Sequence, residues 1–177
     1  MNRRQFLRMG FCVGAGLLVP GSSLARMHAP SRNVLLLQHT HTGERLRVRY
    51  HRSGCFGKQS MERINFFLRD FRTGEVHPID PDLLDILCGI NDVYGGSSLF
   101  EIISGYRSPK TNAALRARSS SVARRSLHMK GKAVDIRLRG VQTSCLRDCA
   151  LAMRRGGVGY YPASDFVHVD TGRVRHW

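Results

Sequence analysis

Acidic residues are scarce in this chain: 13 aspartates and glutamates stand against 28 lysines and arginines, for a formal charge of +15. Such an imbalance favours polyanionic partners at long range. Aromatic residues are also few, at 8% with a single tryptophan, Trp177. No stacking platform and no helix-turn-helix pattern can be traced, so nucleic acid is not expected as the partner despite the charge. The five cysteines include no C-x-x-C pair, which removes the usual zinc-clamp spacing. No internal repeat and no long linker divide the chain. The apolar stretch from Met9 to Val19 holds Gly10, Gly14 and Gly16. It is too short and too rich in glycine for a membrane-spanning helix.

What is present begins at the N-terminus. Arg3-Arg4 followed by Phe6-Leu7-Arg8 is the mark of twin-arginine export. The weakly apolar stretch follows, and Ser23-Leu24-Ala25 offers small residues where a signal peptidase cuts. Residues 1–25 are therefore expected to be an export signal, 26–33 a flexible lead-in, and 34–177 one domain with one core. The signal holds Arg3, Arg4 and Arg8 and no acid, so the remainder keeps +12 of the +15. Exported protein meets lipid headgroups and the carboxylates of cell-wall peptides rather than nucleic acid, and no stable membrane insertion is expected after cleavage. The excess arginine is equally consistent with solubility. Cys55, Cys88, Cys145 and Cys149 remain; an oxidising compartment allows one or two disulfides, and their pairing stays open.

Local patterns give an α+β fold, a small and mainly antiparallel sheet with helices packed on one side. Val34–Leu37 reads as a buried strand and Glu44–Tyr50 as an alternating one, joined at Thr42-Gly43. Ser60 is expected to cap a helix over Met61–Phe71. Asp80-Pro81 and Ser108-Pro109 open two further helices. Leu99–Ile103 and Gly131–Leu138 are strands, and Ser119–Ser126 is a loop without apolar period. Thr143 or Ser144 caps a last helix to about Met153. Val158–Tyr161, Phe166–Asp170 and Val174–Trp177 complete the sheet, the last two joined by a turn at Thr171-Gly172.

The chemistry concentrates in two strings. His128-Met129-Lys130-Gly131-Lys132-Ala133-Val134-Asp135 places a histidine before a strand and an aspartate within it. Asp165-Phe166-Val167-His168-Val169-Asp170 supplies a second histidine on a neighbouring strand. Two imidazoles and a carboxylate are a ligand set for catalytic zinc, which keeps one position open. Gly131 and Ala133 leave room beside the backbone. Asp170 shares a strand face with His168 and is the candidate to fix that ring's second nitrogen. The remaining histidines, His39, His41, His51, His77 and His176, show no ligand spacing.

These strings, with His41-Thr42-Gly43-Glu44, Leu68–Glu75, Ile79-Asp80-Pro81, Ser104-Gly105-Tyr106-Arg107-Ser108 and Phe166–Val174, resemble the bacterial murein endopeptidase K group. That group sits within the zinc peptidases that include D-alanyl-D-alanine carboxypeptidases, phage L-alanyl-D-glutamate peptidases and the hedgehog signalling domain. The resemblance implies a hedgehog/D-Ala-D-Ala peptidase-like scaffold with zinc held by His128, Asp135 and His168. It implies a general base three residues before the last ligand, here Asp165, and substrate contacts from Arg107, Ser104 and Tyr106. The substrate implied is the peptide cross-links of peptidoglycan, such as D-alanyl to meso-diaminopimelate, in the periplasm. Alternatives on the same scaffold are a D,D- or L,D-carboxypeptidase acting on stem peptides and a non-catalytic peptidoglycan-binding module. Arg124 and Arg125, just before His128, either steer acidic wall peptides or solvate their loop.

Overall fold

The computed structural model describes residues 33–50, 56–119 and 122–177. The expected export signal, residues 26–32 of the lead-in, Cys55 and residues 120–121 lie outside the described residues. Among the described residues seven strands form one sheet: β1 (Val34–His39), β2 (Arg45–Arg49), β3 (Leu99–Ser104), β4 (Ala133–Leu138), β5 (Gly157–Tyr161), β6 (Phe166–Asp170) and β7 (Arg175–His176). Their order is β2-β1-β3-β4-β6-β5-β7. Four α-helices accompany them among the described residues: α1 (Lys58–Phe67), α2 (Pro81–Val93), α3 (Pro109–Arg118) and α4 (Thr143–Met153). The fold is α+β with a mixed sheet, because β1 pairs parallel with β3 and β5 parallel with β7. No helix among the described residues is long and apolar enough to cross a membrane.

Strand alternation sets which face is wet. Val134, Ile136 and Leu138 of β4 join the core, together with Leu83, Leu84, Leu87 and Ile90 of α2 and Leu146 and Ala150 of α4. Ala133, Asp135 and Arg137 point to the other face, since successive side chains alternate. Chemistry-bearing residues on β4 therefore share a face that the core does not use.

The helix caps follow local chemistry where a side chain supplies it. Asp80 accepts from the Asp82 amide and Ser108 from the Thr111 amide, each with a proline in the first turn. α1 departs from expectation. It starts at Lys58 behind Gly57, with no side-chain cap, and ends at Phe67 rather than Phe71. Phe71 instead stacks on His41 with ring centroids 4.5 Å apart. α4 is preceded by Gln142, which makes no side-chain cap bond. The Thr143 hydroxyl is committed elsewhere, donating to Asp165 Oδ1 at 2.9 Å. The last strand also differs: β7 pairs with β5 and not with β6. At the turn between β6 and β7, Asp170 Oδ1 accepts from the Gly172 amide and from Arg175. Cys88, Cys145 and Cys149 are free thiols.

His39 is 1% exposed. Its Nδ1 accepts from the His41 amide at 3.2 Å, so Nε2 carries the proton, and this atom is buried without a hydrogen-bond partner. Burial, with smaller contributions from His41, Arg69 and Arg72 against an opposing one from Glu44, lowers its pKa to about 4. The unfolded chain takes up this proton near the ordinary value of 6.5, whereas the folded chain refuses it until about 4. Stability is therefore complete above pH 6.5 and falls as pH drops through that window, by roughly 3 kcal/mol at most. Urea midpoints from pH 7.5 to 4.5 are expected to fall, and His39→Gln is expected to flatten the slope. An unchanged slope in that variant would remove His39 as its source.

Candidate metal centre

β4 and β6 are antiparallel neighbours, and their register sets Asp135 directly opposite His168. His128 arrives from a short 3-10 helix, Leu127–Lys130, whose N-terminus is capped by Ser126. That helix closes on Gly131, at φ +64°, where any Cβ would strike the Pro78 carbonyl oxygen. Gly131 is thus demanded by the turn that delivers His128 to the edge of β4, not by room for an ion.

Three donor atoms converge. His128 Nε2 lies 3.2 Å from His168 Nδ1 and 3.3 Å from Asp135 Oδ1, and His168 Nδ1 lies 2.8 Å from the same oxygen. Tetrahedral donors around an ion at zinc-like bond lengths lie about 3.3 Å apart. The proton positions sharpen the fit. His128 Nδ1 is 2.7 Å from the Gly105 carbonyl oxygen, which can only accept, so Nδ1 holds the proton and Nε2 presents its lone pair. His168 Nε2 is 3.1 Å from Asp170 Oδ2 and its Nδ1 is 2.8 Å from Asp135 Oδ1; both oxygens accept, so the ring holds a proton on each nitrogen unless an ion takes the place of the one on Nδ1. A metal bound among His128 Nε2, His168 Nδ1 and Asp135 Oδ1 would displace that proton, while Asp170 keeps the one on Nε2. All three residues are buried, and among the described residues they form the group able to hold a metal ion.

Supporting bonds fix each ligand. Asp170, fully buried, accepts from the Gly157 amide, the Gly172 amide and both Arg175 terminal nitrogens while it orients His168. Arg107 Nε donates to Ser104 Oγ at 2.8 Å, and its Nη2 ion-pairs with Asp135 Oδ2. Burial works against charge on Asp135, but His128 and His168 hold its carboxyl well below the usual range. Burial likewise opposes the Asp170 charge, and His168 with Arg175 hold that carboxyl low. His128, wholly enclosed, is pushed down by burial and stays neutral, as a ligand must. For His168 burial pushes down, but Asp135 and Asp170 on its two sides win and raise it.

The group opens into a cavity of about 360 Å³, within the range of ligand clefts. Arg107, Arg125 and Ser126 line it on one side, and Tyr161, Phe166 and Trp177 on another.

A family model described as peptidoglycan L,D-endopeptidase MepK matches residues 27–177. The chain belongs to the MepK family. It is 40% identical over 176 residues to peptidoglycan L,D-endopeptidase MepK of Escherichia coli strain K12, covering 99% of this chain and 97% of that one. The Shigella flexneri MepK gives the same figures: 40% over 176 residues, 99% and 97%. The protein described as probable peptidoglycan L,D-endopeptidase MepK from Haemophilus influenzae is 39% identical over 177 residues, with 99% and 95% covered. No solved structure matches.

In this MepK-family chain the site residues expected from sequence divide into two groups. His128, Asp135, His168, Asp170 and Arg107 come together around one point. Asp165, Ser104 and Tyr106 do not line the cavity. Asp165 takes a left-handed backbone at φ +50°, and its side chain is 62% exposed. Its carboxylate accepts from Thr143 at 2.9 Å and from Arg137 at 3.4 Å. Tyr106 is buried, donates to Glu75 Oε1 at 2.6 Å and stacks on His77, so its ring is spent on the fold. Ser104 serves Arg107. Trp177, expected only to pack the terminal strand, instead borders the cavity with its ring centroid 5.3 Å from that of His168. Arg125 lines the cavity as well, whereas Arg124 does not.

Proposed function

We propose that the chain is a zinc-dependent peptidoglycan endopeptidase that hydrolyses peptide cross-links of the cell wall. The observation that carries the reading is the convergence of His128 Nε2, His168 Nδ1 and Asp135 Oδ1 with each ring's other nitrogen already bonded. Two imidazoles with one carboxylate suit zinc in a catalytic setting. A divalent ion held there supplies Lewis-acid polarisation and a nucleophile at neutral pH. The relatives are named L,D-endopeptidases. The cross-link proposed here therefore joins an L-configured centre to a D-configured one, in place of the D-alanyl bond suggested by the wider resemblance. Residues 1–25 are proposed to direct twin-arginine export and 34–177 to form the peptidase domain, on a hedgehog/D-Ala-D-Ala peptidase-like scaffold acting in the periplasm.

The residues take distinct roles. His128, Asp135 and His168 hold the ion; Asp170 keeps the proton on His168 Nε2 and so keeps Nδ1 available. Arg107, anchored by Ser104 and Asp135, presents its guanidinium to the cavity, where it can stabilise charge developing on the substrate carbonyl oxygen. Asp165, three residues before His168, is proposed as the general base; its exposed carboxylate, which accepts from Thr143 and Arg137, would exchange those contacts for the attacking water. Asp165→Asn is expected to keep its metal and to lower kcat about a hundredfold or more. A change of no more than about threefold with metal retained would remove the base role and leave Asp165 as an anchor for the start of β6.

Digestion of purified sacculi tests the activity. The metal-loaded protein is expected to convert cross-linked muropeptides to monomers, and a chelator to stop it. A folded, loaded preparation that leaves every cross-link intact contradicts the proposal. Release of single terminal residues alone would make the protein a carboxypeptidase.

A further inference from the structure

The cavity has an aromatic wall that the ligand geometry does not use. Tyr161 and Phe166 stack with centroids 4.5 Å apart and line it. Beside them lies Trp177, 48% exposed, on the same cavity. This indole is held in place by several contacts. Its Nε1 donates to the Tyr161 hydroxyl at 2.8 Å. The Arg175 guanidinium lies over the ring at 4.8 Å from the centroid. The Trp177 amide donates to the Val158 carbonyl, and its own carbonyl accepts from the Tyr160 amide. The ring rests on Gly159, where a Cβ would come within 2.6–2.8 Å of indole atoms. Gly159 is in turn the cross-strand partner of His168. The chain thus gives up a side chain on β5 to seat an indole against a ligand histidine.

We infer that Trp177, backed by Tyr161 and Phe166, is a substrate shelf that takes the aliphatic side chain of the peptide residue next to the scissile bond. The inference rests on the endopeptidase reading above. Indole faces bind methylene groups and sugar faces alike. Position favours the peptide here, because the shelf lies 5.3 Å from the ring of His168, beside the proposed metal ligands where the scissile bond must sit. Trp177 is a specificity residue in this account, and it neither holds the ion nor moves a proton.

The sequence contains one tryptophan, so its intrinsic fluorescence reports on this shelf alone. The experiment titrates the metal-loaded full chain with a sugar-free cross-linked peptide whose scissile amide is replaced by a reduced linkage. Calorimetry on the same samples gives the binding constant independently. A saturable change in emission with the calorimetric midpoint is expected, and a peptide-free glycan oligomer is expected to cause none. Trp177→Ala should lower kcat/KM on cross-linked peptide about tenfold, mainly through KM, with Trp177→Phe recovering part of it. Gly159→Ala leaves the indole in the chain but displaces it, and should reproduce the KM defect while the metal content stays at one ion. Calorimetric binding with silent fluorescence, a response to glycan alone, absence of peptide binding, or unchanged KM in both variants would each overturn the shelf. Hydrolysis that fails in the wild type while the emission response persists would reject the activity and keep the shelf.

Discussion

His168→Ala is expected to leave less than about a tenth of an ion per chain and to lower cross-link hydrolysis by roughly a thousandfold or more. The reason is geometric. His168 Nδ1 is within 3.2 Å of His128 Nε2 and 2.8 Å of Asp135 Oδ1, so it is the donor both others face. Removing it leaves two donors, too few for a tight catalytic site. His128→Ala should do the same and in addition strands the Gly105 carbonyl, at a cost of about 1–3 kcal/mol. Both variants should remain folded, since the core lies on the other face of β4. Metal analysis and circular dichroism on the same samples check this. Full metal occupancy in either variant would remove that residue from the ligand set.

Asp170→Asn should be nearly as damaging although it touches no substrate. Asp170 Oδ2 receives His168 Nε2 and Arg175 Nη2, and Oδ1 receives two backbone amides and Arg175 Nη1. Every neighbour is a donor. An asparagine must turn its own NH2 toward some of them, so at least one contact becomes donor against donor. Metal affinity is expected to fall about 10- to 100-fold, as chelator competition would show. Asp170 is buried but its partner Arg175 is 32% exposed, so losing this charge should cost about 1–3 kcal/mol of stability, as denaturant melts would show. Unchanged affinity with normal stability would mean that the orientation of His168 does not depend on this carboxylate.

The sequence told most where chemistry is local. Asp80-Pro81 and Ser108-Pro109 marked their helices because a cap and a first-turn proline act within four residues. Arg45–Arg49 announced itself by alternation. His128, Asp135 and His168 were legible because a turn, a strand and a second strand each carried one donor in a short string. What failed was decided at long range. Thr143 looked like a cap and is drawn to Asp165, 22 residues away. Asp165 precedes His168 by three positions, and neither its left-handed backbone nor its contact with Arg137 could be read from that spacing. Phe71 left its helix for His41. Trp177 was missed because its place depends on the parallel pairing of β5 with β7, which no local pattern reveals. A signal did exist: Gly157 and Gly159 alternate on one face of β5, a strand that gives up side chains where something large must lie.

X-ray absorption at the metal edge of the purified, metal-loaded protein tests the central claim most directly. One ion per chain, with two imidazole nitrogens and carboxylate oxygen at about 2.0–2.2 Å and no sulfur, is the predicted result. A sulfur-containing shell, or a folded protein that takes up no ion, would contradict it.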